Sequence, residues 1–294
     1  MTTQLLAVLY SLGTLFGWGL ENGLSKKYSR SLGPSKLIVY RNLVTVIITA
    51  TALALFWEQS HFNLQYILLG FFLAIVGYIG YYFFLKGLET GNLGLVSPVS
   101  SSRILIATLV GITLLKDTIE PIQIYFVIII FLGVALSSVD FRDIKKSDLF
   151  NVKSGILYAL LNALIWGIVF PFYSILSAIL GAFVFALILE TTGLTLSLVQ
   201  AKATHKPISL TEEELRGNKI GLFLVGLSGG LGTICVTLGY STGHIGIVSA
   251  ISGAVPLVAV TYGRIVYKES LSRLQYIAIA LMAVGIVCLA YLSG

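Results

Sequence analysis

Residues 87–97 read GLETGNLGLVS, and residues 239–249 of the same chain read GYSTGHIGIVS. The two stretches lie 152 positions apart and share Gly, Thr, Val and Ser residues in one register. The same shift, without a gap, aligns further identical pairs from Gly77 with Gly229 to Gly133 with Gly285. Because the identities include Ser, Thr, Lys and Gln as well as Gly, they indicate an internal repeat and not a chance match of glycine-rich sequence.

The composition of the chain excludes a soluble fold. Hydrophobic residues make up 56% of the 294 residues and charged residues only 11%, whereas soluble domains carry about 25% charged residues. So few charges cannot cover a water-soluble surface, and so many apolar residues exclude a disordered chain. We therefore predict a polytopic membrane protein whose partner is the lipid bilayer. The net charge is +6, but the basic residues lie between apolar segments. The charge therefore does not indicate nucleic-acid binding.

Charges, prolines and glycines divide the chain into ten apolar segments, each close to the roughly 20 residues that a helix needs to cross a bilayer. The predicted spans are residues 4–24, 34–57, 65–88, 93–115, 121–139, 154–176, 178–201, 217–241, 245–267 and 272–292. Thr211 followed by three glutamates matches a capping box, which predicts a short helical lead into the eighth span.

The predicted fold is an all-α polytopic membrane protein with ten transmembrane helices in two five-helix repeats, residues 1–140 and 154–294, joined by a linker at 141–153. Because five is odd, the second repeat enters the membrane from the opposite side, as in the inverted repeats of many secondary transporters. Fifteen Lys and Arg residues lie in the links after odd-numbered spans, and only Lys116 lies in a link on the other side. The positive-inside rule therefore predicts that both termini lie outside the cell.

Three short motifs add a resemblance to a known family. They are Trp18-Gly19 followed by Lys26 in the first span, Arg41 in the second, and Pro256 followed by Glu269 at the ninth. Together with the repeat and the length, they make the whole chain resemble the drug/metabolite transporter superfamily, in particular its EamA-like members.

The chain departs from that family pattern in three respects. Asp117 stands where the family usually has Glu. Ile104 stands where the repeat would place a counterpart of Pro256, and Pro98 lies earlier, so we expect the fourth helix to bend at a different position from the ninth. The charge bias puts the termini outside, whereas ten-span relatives usually have them in the cytoplasm.

The repeat and the resemblance imply a secondary transporter, by resemblance an exporter, that moves a small organic molecule by alternating access at the repeat interface. They also imply that the protein lies in the plasma membrane of a bacterium or archaeon and that it binds no cofactor. They imply a monomer or a homodimer. No Gly-Lys dipeptide occurs, which excludes a Walker A loop, and no carboxylate dyad or nucleophile elbow is present. These absences argue against an enzyme.

Five ionisable residues fall within predicted spans, where charge is costly and normally faces a partner or a water-filled cavity. They are Glu21, Arg41, Arg103, Glu190 and Arg264. Arg41 and Glu190 occupy nearly equivalent places in the two repeats, which predicts a structural ion pair between the second and seventh spans. Glu21 has no assigned partner and is the predicted proton-coupling residue; the alternative is a solvated carboxylate near a helix end.

Arg103 follows a serine-rich segment that contains Pro98. Because a proline removes a backbone donor, the freed carbonyl needs a polar partner or water, and we predict that the segment lines the central cavity. The segment 249–256 has the same small, polar character. Arg103 could bind a substrate carboxylate or phosphate through its planar fork, or it could pair with Glu21.

These considerations define a predicted substrate-binding set. It comprises Trp18, Glu21, Tyr78, Tyr82, Ser97, Ser101, Arg103, Trp166, Ser249 and Ser252. Arginine and glutamate together with aromatic rings suit a zwitterionic or anionic substrate such as an amino acid. The alternatives are export of cationic drugs or quaternary amines, exchange of nucleotide sugars or phosphometabolites, and a non-transporting membrane scaffold. The scattered histidines and the two cysteines predict no metal site.

Overall fold

The structure is a computed structural model that describes residues 2–57, 62–91, 93–137, 155–205, 208–268 and 270–293. The regular elements of these residues are helices: α1 (Thr3–Ser31), α2 (Gly33–Leu55), α3 (Leu64–Thr90), α4 (Leu93–Ser101), α5 (Arg103–Leu114), α6 (Pro121–Ser137), α7 (Ile156–Leu180), α8 (Ala182–Ala203), α9 (Glu212–Ser241), α10 (Ile245–Gly253), α11 (Pro256–Val266) and α12 (Arg273–Ser293). The linker 141–153, residues 138–139 of the fifth span and Glu269 lie outside the described residues.

The helices form ten membrane spans, because α4 with α5 and α10 with α11 are two spans that are each broken in the middle. Nine segments of the described chain are long and apolar enough to cross a bilayer, and the described part of the fifth span, α6, is a shorter apolar helix. The predicted fold, ten transmembrane helices in two inverted five-helix repeats, is confirmed. The orientation of the termini stays a prediction.

The helical lead into the eighth span is also confirmed, since α9 begins at Glu212. The Thr211 hydroxyl accepts a hydrogen bond from the Glu214 amide at 3.2 Å, and the Glu214 carboxylate accepts one from the Thr211 amide at 2.9 Å. This reciprocal capping box satisfies two backbone donors at the helix start. The Glu214 carboxylate also lies 3.1 Å from Lys36 Nζ, which ties α9 to the start of α2.

The two broken spans interrupt their helices at positions related by the repeat. The Ser102 amide bonds to the Val99 carbonyl at 3.2 Å, and the Ala254 amide bonds to the Ile251 carbonyl at 3.1 Å; both are i→i−3 bonds, 152 positions apart. The expectation that these helices bend at different positions is therefore wrong. Helix α4 continues for three residues beyond Pro98, because a single proline costs it only one backbone bond.

Two tryptophans are brought to the middle of the bundle by equivalent close contacts. A methyl group added to Gly80 of α3 would lie 2.6 Å from Cδ1 of Trp166, and one added to Gly232 of α9 would lie 2.5 Å from Cδ1 of Trp18. Only glycine leaves room for an indole at this distance. Helix α3 therefore packs on α7 as α9 packs on α1, and the two indoles meet near the centre.

On the side of the membrane where the termini lie, buried apolar residues pack the helix ends together. The Thr2 hydroxyl donates to the Ser293 carbonyl at 2.7 Å, which places the two termini together. Next to them, the ends of four helices pack in one apolar cluster. We call its members Leu180, Phe185, Tyr240, Ile245 and Val248 the termini-side gate; each is at most 4% exposed.

Candidate substrate cavity

A cavity of about 100 Å³ lies at the middle of the spans, between the two repeats. Residues from both repeats line it, and it borders both helix breaks, through Ser101 and Arg103 on one side and Val255 on the other. Broken helices leave backbone groups that only protein or a polar cavity can satisfy inside a membrane. In transporters with inverted repeats, such breaks near the membrane midplane hold the substrate and coupling ions.

The structure places seven of the ten residues predicted for substrate binding in the cavity lining. These are Trp18, Glu21, Tyr78, Ser97, Ser101, Arg103 and Trp166. Tyr82, Ser249 and Ser252 are not part of this lining. The Ser249 hydroxyl instead lies 3.1 Å from the Tyr240 hydroxyl, and Ser252 presents only its backbone carbonyl to Arg103. Both serines therefore stand behind the cavity wall.

Three buried charged residues form a cluster at one end of the cavity, which we call the charge triad: Glu21, Arg41 and Glu190. Arg41 Nε donates to Glu21 Oε1 at 3.0 Å, and Arg41 Nη1 donates to Glu190 Oε2. None of the three is more than 6% exposed. The sequence analysis assigned Glu21 no partner and left open a solvated carboxylate. The structure instead buries Glu21 and pairs it with Arg41, whose guanidinium also binds Glu190. Arg264, in contrast, lies exposed in the last turn of α11.

The two carboxylates of the triad are held differently. Both oxygens of Glu190 accept hydrogen bonds: Oε2 from Thr45 at 2.8 Å, and Oε1 from Thr233 at 2.6 Å. Glu21 accepts from Arg41 and from the Tyr81 hydroxyl, at 2.6 Å, and among the described residues both bonds fall on Oε1. Glu190 is thus fixed on both oxygens, while Oε2 of Glu21 is the less constrained acceptor.

The triad occupies space that a glycine leaves open. A methyl group added to Gly229 of α9 would lie 2.7 Å from Glu21 Oε2 and 2.9 Å from Arg41 Nε. Since real contacts of this kind do not occur, any larger residue must displace a buried charged side chain.

We therefore expect Gly229→Ala to destabilise the protein by about 1–3 kcal/mol through overpacking, although alanine is the better helix former. The measurement is the thermal unfolding midpoint of the purified protein in detergent. Gly217→Ala is the matched control, because Gly217 lies in the same helix and none of the described atoms would lie within 4 Å of the added methyl group. A midpoint for Gly229→Ala equal to that of Gly217→Ala would contradict the packing argument.

Arg103 lies against the aromatic residues of the cavity lining, among them Trp18 and Trp166. Its Cζ is 5.3 Å from the ring centre of Trp166 and 5.9 Å from that of Trp18, and the side chain is buried. Its Nη2 donates a long hydrogen bond, 3.3 Å, to the Ser252 carbonyl. In the part of the chain that the structure describes, it forms no ion pair with a carboxylate, so the pair with Glu21 is not formed.

A buried cation without a counter-ion is costly, and aromatic faces offset only part of the cost. Arg103 is therefore suited to receive an anionic group from the cavity. Ser97 supports this, because its buried hydroxyl lines the same cavity and has no hydrogen-bond partner among the described residues.

The sequence analysis did not identify several residues that complete the site. Tyr81, Asn42, Thr45, Thr233 and Phe170 either line the cavity or bond the triad. One signal was available: the shift of 152 aligns Tyr81 with Thr233, and each donates to a buried carboxylate. The others are ordinary residues of apolar helices, whose direction depends on helix rotation.

The chain was compared with protein families, curated proteins and solved structures. The model of the EamA-like transporter family matches residues 5–139 and again residues 153–291. A solved structure, described only as the crystal structure of a protein, superposes with a TM-score of 0.73 at 16% sequence identity, covering 98% of this chain and 97% of the other; at this identity the likeness shows the fold alone. The curated proteins include no match. Because the family model covers both repeats, this chain belongs to the EamA-like transporter family.

Proposed function

We propose that this transporter exports a small zwitterionic or anionic metabolite, such as an amino acid, by alternating access at the cavity between its repeats. The observation that carries the proposal is Arg103, a buried cation without an ion-pair partner among the described residues, at the border of the cavity and next to a helix break. A cavity that was only structural would be expected to leave no such charge unneutralised.

The lining provides complementary groups for an amino acid. The planar fork of Arg103 suits a carboxylate, and the Ser97 hydroxyl offers a further polar contact. The Trp18 and Trp166 rings, 6.1 Å apart, provide an apolar surface for a side chain. Glu21 Oε2, the less constrained acceptor of the triad, suits an ammonium group.

The size of the cavity favours a small solute. Its volume of about 100 Å³ is below that of an apolar cavity of about 150 Å³ that holds benzene. A nucleotide sugar would require a much wider site than this state offers. An amino acid needs only a modest widening.

For energy coupling, Glu21 remains the residue we propose to gain and lose a proton. Its protonation would leave Arg41 neutralised by Glu190, which stays bonded through both oxygens. Protonation of Glu190 would instead disturb three hydrogen bonds at once. The triad can therefore change charge at Glu21 without stranding its arginine.

Export of a quaternary amine is the second candidate function. It is favoured by the excess of negative charge in the triad, two carboxylates for one guanidinium. It is opposed by Arg103, which would repel a cation in the same cavity.

A ligand screen distinguishes these functions. We would measure the thermal midpoint of the purified protein with amino acids, with their amides and hydroxy-acid analogues, and with quaternary amines. A bound ligand at 100 times its Kd stabilises by about 2.7 kcal/mol, so we expect a clear upward shift with solutes that carry a carboxylate. Counterflow of the best solute in proteoliposomes then tests transport. Stabilisation by quaternary amines alone would overturn the proposal in favour of the second function.

A further inference from the structure

Helices α5 and α10 belong to different repeats and pack against each other in opposite directions. At one end, a methyl group added to Gly111 of α5 would lie 3.0 Å from Ile245 Cγ2. At the other end, one added to Gly253 of α10 would overlap Ile104. The beginning of α10 therefore lies beside the end of α5, and its end lies beside the beginning of α5.

Two charged residues, one at the start of α5 and one just after its end, form hydrogen bonds to the two ends of α10. At the start of α10, Asp117 Oδ2 accepts a hydrogen bond from the Gly246 amide at 2.7 Å. At its end, Arg103 Nη2 donates to the Ser252 carbonyl at 3.3 Å. An anion at a helix N-terminus and a cation at its C-terminus both stabilise the helix dipole. His244, the residue before α10, provides no side-chain cap of its own, so Asp117 serves as the cap from the other repeat.

From this arrangement we propose that α10 is the moving helix of the termini-side gate, that Asp117 holds it closed, and that an anionic substrate opens it by drawing Arg103 away from Ser252. This proposal rests on the proposed function for the identity of the substrate. Asp117 lies outside the cavity lining and acts as a positioning residue.

The contacts of α10 explain why its ends control the gate. Ile245 and Val248, in its first turns, are part of the termini-side gate. The bond from Arg103 to Ser252 is a long bond to a neutral carbonyl, whereas a carboxylate offers two short charge-assisted bonds. A substrate therefore binds Arg103 better when α10 has lost this bond, which is the differential affinity that a ligand needs to shift a conformational equilibrium. Without substrate, both bonds keep the gate shut.

The test measures gate opening without any substrate. In a background with Cys235→Ala and Cys288→Ala, Val236→Cys places a single thiol where the cavity borders the gate; Val236 is fully buried. A membrane-impermeant maleimide is added only on the side of an N-terminal tag, and the labelling rate is measured in oriented vesicles. We expect Asp117→Ala to raise this rate about fivefold to tenfold, the factor that corresponds to loss of one helix cap.

Two further variants complete the comparison. Asp117→Asn keeps an acceptor oxygen without the charge and should raise the rate by a smaller factor; it also decides the question if Asp117→Ala does not fold. Glu120→Ala is the matched control, because Glu120 is an exposed acid of the same loop whose backbone amide bonds to Gln123. Its labelling rate should equal that of the parent.

Equal labelling rates in the parent and both Asp117 variants would overturn the role of Asp117 as a gate cap. A faster rate in the Glu120→Ala control as well would overturn it too, since the effect would then be one of loop charge. Failure of the proposed function looks different: no solute in the ligand screen would be transported, while the labelling rates would still differ between the Asp117 variants and the control.

Discussion

Arg103→Gln should lower the transport of a carboxylate solute about thirtyfold or more while the protein stays folded in the membrane. Losing one partner of a buried, hydrogen-bonded charge pair costs about 2–5 kcal/mol, and each 1.4 kcal/mol is about tenfold. Folding should survive, because Arg103 forms no ion pair in the described structure and its removal strands no carboxylate. The measurements are counterflow in proteoliposomes and the thermal midpoint.

Arg103→Lys is the matched control for charge. It keeps a cation but loses the planar fork, so we expect partial transport. Full activity of Arg103→Gln would remove Arg103 from the substrate site. Loss of folded protein in both variants would show instead that Arg103 holds the structure through its rings and the Ser252 carbonyl.

Arg41→Gln should be the most destabilising single change in the cavity, by about 3–5 kcal/mol. It leaves two buried carboxylates, Glu21 and Glu190, close to each other without a cation. From the sequence alone, Glu190→Gln would be expected to strand Arg41, but the structure shows that Glu21 would still neutralise it. We therefore expect Glu190→Gln to be milder than Arg41→Gln when thermal midpoints are compared.

The triple change of Arg41, Glu21 and Glu190 to Gln separates charge from packing. With no charge left to strand, it should recover part of the stability lost in Arg41→Gln. If the triple variant is as unstable as Arg41→Gln, the loss arises from packing and hydrogen bonds of the guanidinium, and the electrostatic explanation fails.

The sequence predicted the fold well because the repeat constrains it. In the structure, the shift of 152 relates the helix breaks at Ser102 and Ala254, and it also relates two left-handed residues after the broken spans, Lys116 and Lys268, with φ of 57° and 56°. What it did not predict was the break in the fourth span without a proline at that position. Both repeats break at equivalent positions of the backbone, and the break does not require a proline at that position.

The site was harder to predict because it depends on helix rotation. Tyr78, Tyr81 and Tyr82 share a helical face by spacing, yet the cavity lining takes Tyr78 and Tyr81 and leaves out Tyr82. Helix α3 turns this way because Gly77 and Gly80 must face Tyr173 and Trp166 of α7. Such a rotation is set by contacts between helices, which no pattern within one helix contains. For the same reason, the bond between Glu21 and Arg41 could not be predicted from the sequence.

The pairing of Arg41 with Glu190 bears on how the chain arose. These residues stand at nearly equivalent places in the two halves, and across the pseudo-two-fold axis one half presents a cation to the anion of the other. Two copies of the second half would set glutamate against glutamate in a buried region, whereas two copies of the first half would still carry Glu21 beside each Arg41. If the chain descends from a duplicated gene, the two copies have since diverged, and the second half now depends on the first for the cation that neutralises Glu190.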